Sequence, residues 1–217
     1  TSDVMINKYV CRNRAVPDSA IVYLEGIKTD YGAVDSLRHR IGIWTEYHNS
    51  GEFRGKGLYL NDKRIGEWVF YYPNKQIEQK GKYDKKGRAQ GEWNWFYENG
   101  ALMRQEFYLD NKRDGLMTEY TEDGKIITKG EFVDDLQEGL WFYETPEYKE
   151  IGKYVNDKPD SLWKRFYMPK EKLRYEGNYL NGDEDGIHTW YYENGRKMVQ
   201  GRYTGGVKQD DWKFYDE

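Results

Sequence analysis

Few side chains in this sequence are equipped for chemistry. The 217 residues hold three histidines, His39, His48 and His188, and one cysteine, Cys11. None lies in a His-Glu-x-x-His pair, a phosphate-cradling glycine loop or a nucleophile elbow. A single cysteine excludes an internal disulfide framework and any cysteine-based zinc cluster. One string imitates a metal site: Asn181-x-Asp183-x-Asp185-Gly186 copies the start of a calcium loop. Such a loop needs a bidentate Glu at its twelfth position, and Tyr192 stands there. A turn between strands accounts for the segment better. The expectation is a protein that is not an enzyme and has no cofactor or metal.

The charge balance narrows the partners. Thirty-four basic and 38 acidic residues give a net charge of −4 and are spread almost evenly. A nucleic-acid binder would carry a basic stripe, and none is visible. The same balance gives little attraction to an anionic membrane surface. No apolar run approaches the length of a transmembrane helix. The chain opens Thr-Ser-Asp, which fits a removed export signal or a shortened upstream segment equally, so an exported and a cytoplasmic location both stay open. Aliphatic residues are sparse, yet 17% of the chain is aromatic, with 21 tyrosines. Each buried aromatic removes roughly 150–250 Å² from water, so few are needed to hold a fold.

Those aromatics recur at a fixed step. The phrase Gly-x-Tyr, polar turn, Gly-x-(large)-x-aromatic-aromatic-aromatic, Asn-Gly is fullest in Gly177–Gly201. Units open at Gly57, Gly81, Glu106, Gly130, Gly152, Gly177 and Gly201, a period that marks a repeat array rather than a globule. Residues 42–217 form the repeat region; residues 1–41 lie outside it as a cap, with Ala20–Leu24 as a strand and Asp30–Arg40 as a loop. Asn99-Gly100, Asp123-Gly124 and Asn194-Gly195 sit between β-prone runs, which predicts type I′ hairpin turns there. The second turn of each unit, as at Asn61–Arg64, reads as a solvated connector. The prediction is an all-β, elongated antiparallel array of hairpins in a single sheet. Ser161 and Asp210 replace expected glycines, and the unit after Gly139 is shortened around Pro146.

Strand alternation divides the rings between two faces. Trp44, Trp68, Trp93, Trp95, Trp141, Trp163, Trp190 and Trp212 form a structural stripe, with His188 in a place held by Trp elsewhere and His48 in that of a strand's last aromatic. The mid-strand glycines Gly81, Gly130 and Gly177 share a face with Ile77 and Tyr83, Ile126 and Phe132, and Leu173 and Tyr179 in this reading. A glycine in mid-strand signals close approach by a neighbour, so each indole is expected to seat over one. Tyr47, Tyr71, Phe96, Tyr120, Phe166, Tyr191 and Tyr215 fall on the opposite face and form the candidate binding face, since tyrosine and phenylalanine are favoured at interfaces.

At Gly-x-Trp-x-x-(Tyr/Phe)-Tyr-x-Asn-Gly followed by Gly-x-Tyr, the sequence resembles the MORN-repeat family, closest to the bacterial variant repeats in proteins named as antitoxins of the YwqK type. The resemblance covers about Gly42–Glu217. It implies a hairpin array serving as a scaffold or binding surface. The expected function is a scaffold whose extended aromatic face binds a protein. A carbohydrate- or cell-wall-binding module with Tyr and Phe platforms is the alternative. An antitoxin-like inhibitor of a partner enzyme follows from the family name alone.

Overall fold

The computed structural model describes residues 5–9, 18–24, 26–209 and 212–217. Cys11 and Asp210 lie outside the described residues. All regular structure among those described is β-strand, and it divides into two compact units. The first, Thr1–Lys112 with Glu122–Gly124, holds β1 (Met5–Tyr9), β2 (Asp18–Leu24), β3 (Ile27–Val34), β4 (Arg40–Tyr47), β5 (Phe53–Leu60), β6 (Lys63–Tyr71), β7 (Ile77–Tyr83), β8 (Ala89–Phe96) and β9 (Leu102–Leu109). A two-residue β10 (Lys112–Arg113) falls at the boundary. The second unit, Arg113–Thr121 with Lys125–Glu217, holds β11 (Gly115–Tyr120), β12 (Ile126–Val133), β13 (Leu136–Glu144), β14 (Tyr148–Val155), β15 (Lys158–Tyr167), β16 (Lys172–Leu180), β17 (Asp183–Glu184), β18 (Gly186–Tyr191), β19 (Lys197–Thr204), β20 (Val207–Lys208) and β21 (Lys213–Phe214). Within each unit the strands pair antiparallel in chain order, so each is a single-layer meander.

The Asn-Gly turns are not of the expected type. At Asn99-Gly100 only the glycine has positive φ, and the Gly100 amide donates to the Tyr97 carbonyl at 2.8 Å. That is a three-residue loop ending in a left-handed glycine, and a type I′ turn needs two positive φ angles. Those pairs occur instead in the connectors: Asn61 and Asp62 at φ 49° and 64°, Asp134 and Asp135 at 51° and 73°, Asn156 and Asp157 at 50° and 62°. Asn and Asp tolerate this region because their short polar side chains bond locally. Here they also brace the neighbouring hairpin. The Asp62 amide donates to the Arg40 carbonyl at 3.2 Å, and the Arg40 amide donates back to Asp62 Oδ1 at 2.8 Å. Asn111 and Ala89 repeat the reciprocal pair, as do Asp135 and Arg113.

Register explains the glycines. Between β5 and β6 the pairing runs from Lys56↔Val69 to Leu58↔Ile65, so Gly57 faces a bulge that begins at Gly66, whose φ is 71°. The bulge swings Trp68 across Gly57, where an added Cβ would overlap the indole. Gly81 under Trp93, Gly130 under Trp141 and Gly152 under Trp163 repeat this, and each ring leaves no room for a methyl. Ser161 holds the bulge position of β15 at φ 60°. A left-handed conformation there costs a non-glycine residue about 1–2 kcal/mol.

Two further expectations are corrected. Asp30–Val34 belongs to β3, because Gly32 gives Trp44 the seat that Gly57 gives Trp68; the turn there is confined to Asp35–His39. Ile77, Ile126 and Leu173 do not lie alongside their glycines. A bulge beside each hairpin loop pairs them with Tyr71, Tyr120 and Phe166.

Candidate binding surface

The indole face is occupied by its own packing. Trp44, Trp68, Trp93, Trp141 and Trp163 are buried, while Trp95, Trp190 and Trp212 are half-buried. The aromatic residue two positions after Gly57 and after Gly152 stands edge-on between successive indoles. Tyr59 does so against Trp44 (5.9 Å, 64°) and Trp68 (5.4 Å, 89°), and Tyr154 against Trp141 (6.2 Å, 88°) and Trp163 (4.9 Å, 85°). Edge-to-face contact sets the positive ring rim against a negative ring face. Charge closes the first of these clusters. Arg64 forks onto the buried Glu46 carboxylate at 2.7–3.1 Å, and the Tyr59 hydroxyl donates to Glu46 Oε1 at 2.7 Å. Burial, with that carboxylate beside it, pushes the Tyr59 hydroxyl up to about 12.

His188 fills an indole slot over Gly177 and is 1% exposed. Its Nε2 lies 2.8 Å from the Asn178 carbonyl, ten residues earlier, as Trp68 Nε1 lies 3.3 Å from Leu58 O and Trp163 Nε1 3.1 Å from Lys153 O. A carbonyl only accepts, so Nε2 carries the proton and Nδ1 accepts from the Tyr175 hydroxyl at 2.8 Å. Burial holds the imidazole below its ordinary value, so it is a neutral packing ring rather than a proton carrier. His48 stands at a strand end with its Nε2 2.7 Å from the Tyr71 carbonyl, the bond Tyr72 makes to Phe96 O and Tyr167 to Tyr191 O. His39 bonds Asp35 within a turn.

On the opposite face the ring ladder is half-buried. Tyr47, Tyr71, Phe96, Tyr120 and Phe166 pair across the hairpin with Phe53, Ile77, Leu102, Ile126 and Leu173, and apolar cross-strand pairs shield one another. Tyr191 donates to Glu176 Oε1 at 2.7 Å, and burial together with that carboxylate pushes its hydroxyl up to about 12. Tyr215 is exposed at 39%. The first unit adds two rings that alternation from the Trp residues did not reach: Phe53, 5.4 Å from Tyr71, and Tyr31, 6.2 Å from Tyr47 with the Lys28 ammonium 3.8 Å above it.

The most exposed apolar groups of this face are aliphatic. The residue just before the indole position is Leu116, Leu140, Leu162 and Ile187 in four hairpins of the second unit, exposed at 42%, 73%, 44% and 50%. In the first unit the same place holds Ile43, exposed at 56%, and then Glu67 and Glu92. Two recesses show the contrast: one lined by Glu67, Val69, Lys80, Lys82, Glu92 and Asn94, the other by Leu116, Lys129, Glu131, Leu140, Phe142 and Ile151. The signal was present in the sequence, since a residue adjacent to a buried indole must point the other way.

A repeat profile described as MORN repeat variant matches residues 64–85, 89–110, 113–134 and 184–204. This is a MORN-repeat protein. Each matched segment begins at or just after a connector turn and runs through one indole slot and one mid-strand position that is glycine or, at Glu106, its substitute. The unmatched stretch between the third and fourth segments carries the shortened Pro146 turn and Ser161 in the bulge. It keeps the MORN geometry all the same, with Gly152 under Trp163. No curated protein matches the chain. Among the described residues, no group of His, Cys, Asp and Glu is placed to hold a metal ion, and no helix is long and apolar enough to cross a membrane.

Proposed function

We propose that this MORN-repeat chain is a non-catalytic scaffold that binds a protein partner on the face opposite its indoles. The observation that supports this reading is the row of leucines and isoleucine exposed there once per hairpin, while the indoles are consumed by internal packing. Burying such side chains is worth roughly 25 cal/mol per Å², and exposed apolar side chains rimmed by polar ones mark interaction sites. The ring ladder borders the row and supplies the flat, rigid contacts interfaces favour. The test is affinity capture and cross-linking from native extract with the Leu140→Glu, Leu162→Glu double variant beside the parent. Loss of the captured protein, with an unchanged circular dichroism spectrum, is expected. Equal capture by both would overturn the reading.

A glycan reading rests on the patch of Tyr31, Tyr47, Phe53 and Tyr71, whose rings offer a stacking platform. Oligosaccharide binding that Phe53→Ala abolishes and Leu140→Glu leaves intact would favour it.

A further inference from the structure

Two carboxylates stand opposite one another in the first unit. Asp30 of β3 pairs directly with Glu46 of β4, and both share the indole face with Gly32 and Trp44. Like charges in that relation destabilise a sheet. Other hairpins fill the same two places differently. Glu150 and Arg165 join there at 2.9 Å across β14 and β15, and Gln79 faces Trp95 across β7 and β8. A local rule broken at one place in an otherwise consistent array points to a functional site.

The surrounding charges are met unequally. Glu46 is well satisfied, by the Arg64 fork and by the Tyr59 hydroxyl. Asp30 accepts from Arg40 Nη2 at 3.4 Å, and Arg40 divides itself, donating also to the Tyr59 hydroxyl at 3.4 Å. Burial holds the Asp30 carboxyl above its ordinary range against the pull of Arg40. A third guanidinium, Arg54, stands 5.6 Å from the Phe70 ring and forms no ion pair among the described residues. Neither acid near it takes that role. Glu52 bonds Ser50, and Glu78, at the equivalent place one hairpin on, forms no ion pair among the described residues. A recess of about 310 Å³ opens among these groups, lined by Asp30, Arg40, Glu46, Asn49, Arg54 and Arg64. A perturbed carboxyl beside charged partners in a cleft marks a candidate binding site.

The spacing of the two poorly met groups sets the size of the ligand. Asp30 and Arg54 lie two strands apart, and the Arg54 guanidinium leans over Phe70 on the strand beyond. At about 4.8 Å per strand, roughly 10–14 Å separates the two charges. A charge-assisted hydrogen bond takes about 2.8 Å at each end. The remaining ~5–8 Å matches the ammonium-to-carboxylate span of an extended dipeptide, whereas a free amino acid holds the two about 3 Å apart. We propose that this recess binds a short unblocked peptide, its ammonium on Asp30 and its terminal carboxylate on Arg54. The ammonium gives Asp30 the cation that Arg40 meets at long range, and Arg54 gains a carboxylate. Glu46 and Arg64 line the recess as a neutral pair. The site lies within the first unit and does not depend on the protein-scaffold reading.

Calorimetry on the full chain tests this with dialanine, N-acetyl-dialanine, dialanine amide and free alanine. Saturable binding of dialanine is expected. Acetylation or amidation should each weaken it about tenfold, because each leaves one charged group of the recess unmet. Asp30→Asn should weaken dialanine about as much as acetylation does, and Arg54→Gln about as much as amidation does. Arg54 is exposed and Asp30→Asn removes an opposition of like charges. Neither variant should therefore lower the melting temperature, and loss of binding is not loss of fold. No binding of dialanine overturns the inference, as does equal binding of its blocked forms. Free alanine binding as tightly as dialanine overturns the span and with it the peptide. Acetate binding as tightly as dialanine, unaffected by Asp30→Asn, would make the recess a simple anion site and overturn the proposal.

Discussion

Trp68 over Gly57 and His188 over Gly177 occupy the same slot of the repeat in different units, and they are built from different chemistry. Around Trp68 the slot is closed by an ion pair, Arg64 on the buried Glu46, with the guanidinium 5.0 Å from the indole. Around His188 it is closed by neutral hydroxyls, Tyr175 at 2.8 Å from the ring and Tyr179 at 3.0 Å from Tyr175. Both rings are flat, both cover a glycine, and both point a ring nitrogen at a backbone carbonyl ten residues back. Over a glycine the slot takes a planar ring, indole or imidazole, while the side chains around it change; Met117 takes the slot where Glu106 replaces the glycine.

Four measurements press on this equivalence. The two largest effects are expected from Gly57→Ala and Trp68→Ala; the methyl of Gly57→Ala would overlap the Trp68 ring, and overpacking of this kind costs about 3 kcal/mol, read as a lower denaturant midpoint. A wild-type midpoint would show that the ring does not need the glycine. Trp68→Ala should cost about 3–5 kcal/mol through the cavity it leaves. Trp68→His, which keeps a planar donor, should cost distinctly less than that. Equal losses would mean that volume alone matters and that the two slots are not equivalent.

Acid should separate the two regions further. Burial keeps the folded His188 imidazole below the ordinary 6.5, so the unfolded chain takes up the proton first. Its contribution is complete above about pH 6.5 and is lost as the pH falls from there toward the lower folded value. Melting curves from pH 7.5 to 5 should show this, and His188→Trp should flatten the dependence; an unchanged slope would assign the acid sensitivity elsewhere. The smallest effect is a gain. Ser161→Gly relieves a left-handed residue at φ 60° and should stabilise by about 0.5–1 kcal/mol, the strain removed less the entropy that glycine adds.

The repeat, its period and the ring-on-glycine contact were legible because each leaves a residue-type signature at fixed spacing. The turns were not. Asn-Gly signals a tight turn, but loop length decides which kind, and the three-residue loops at Gly100 and Gly195 place only the glycine at positive φ where type I′ needs both residues there. The bulge at Gly66 was hidden for a related reason: Gly-x-Trp reads as strand alternation, and the break in register exists only relative to the partner strand. Tyr31 and Gly32 were set aside with residues 1–41 because β3 lacks the full phrase, although Gly32 performs the repeat's task. On the candidate face the rings were legible as a ladder. Their shielding by Ile77, Leu102 and Ile126 depended on bulges that alternation cannot see.

The connector turns carry one more implication. Asp62 grips the backbone of Arg40, and Asp135 that of Arg113, across 22 residues in each case. Four connectors, with Ala89–Asn111 and Gln137–Asp157 beside these two, thus fasten a hairpin to its predecessor by a clasp whose two halves lie 20–22 residues apart. Excising or duplicating one whole period would bring equivalent halves together, whereas an insertion of any other length would leave a clasp open. Such a molecule can change its reach by recombination in steps of one hairpin, and each step adds or removes one tooth of the surface it presents.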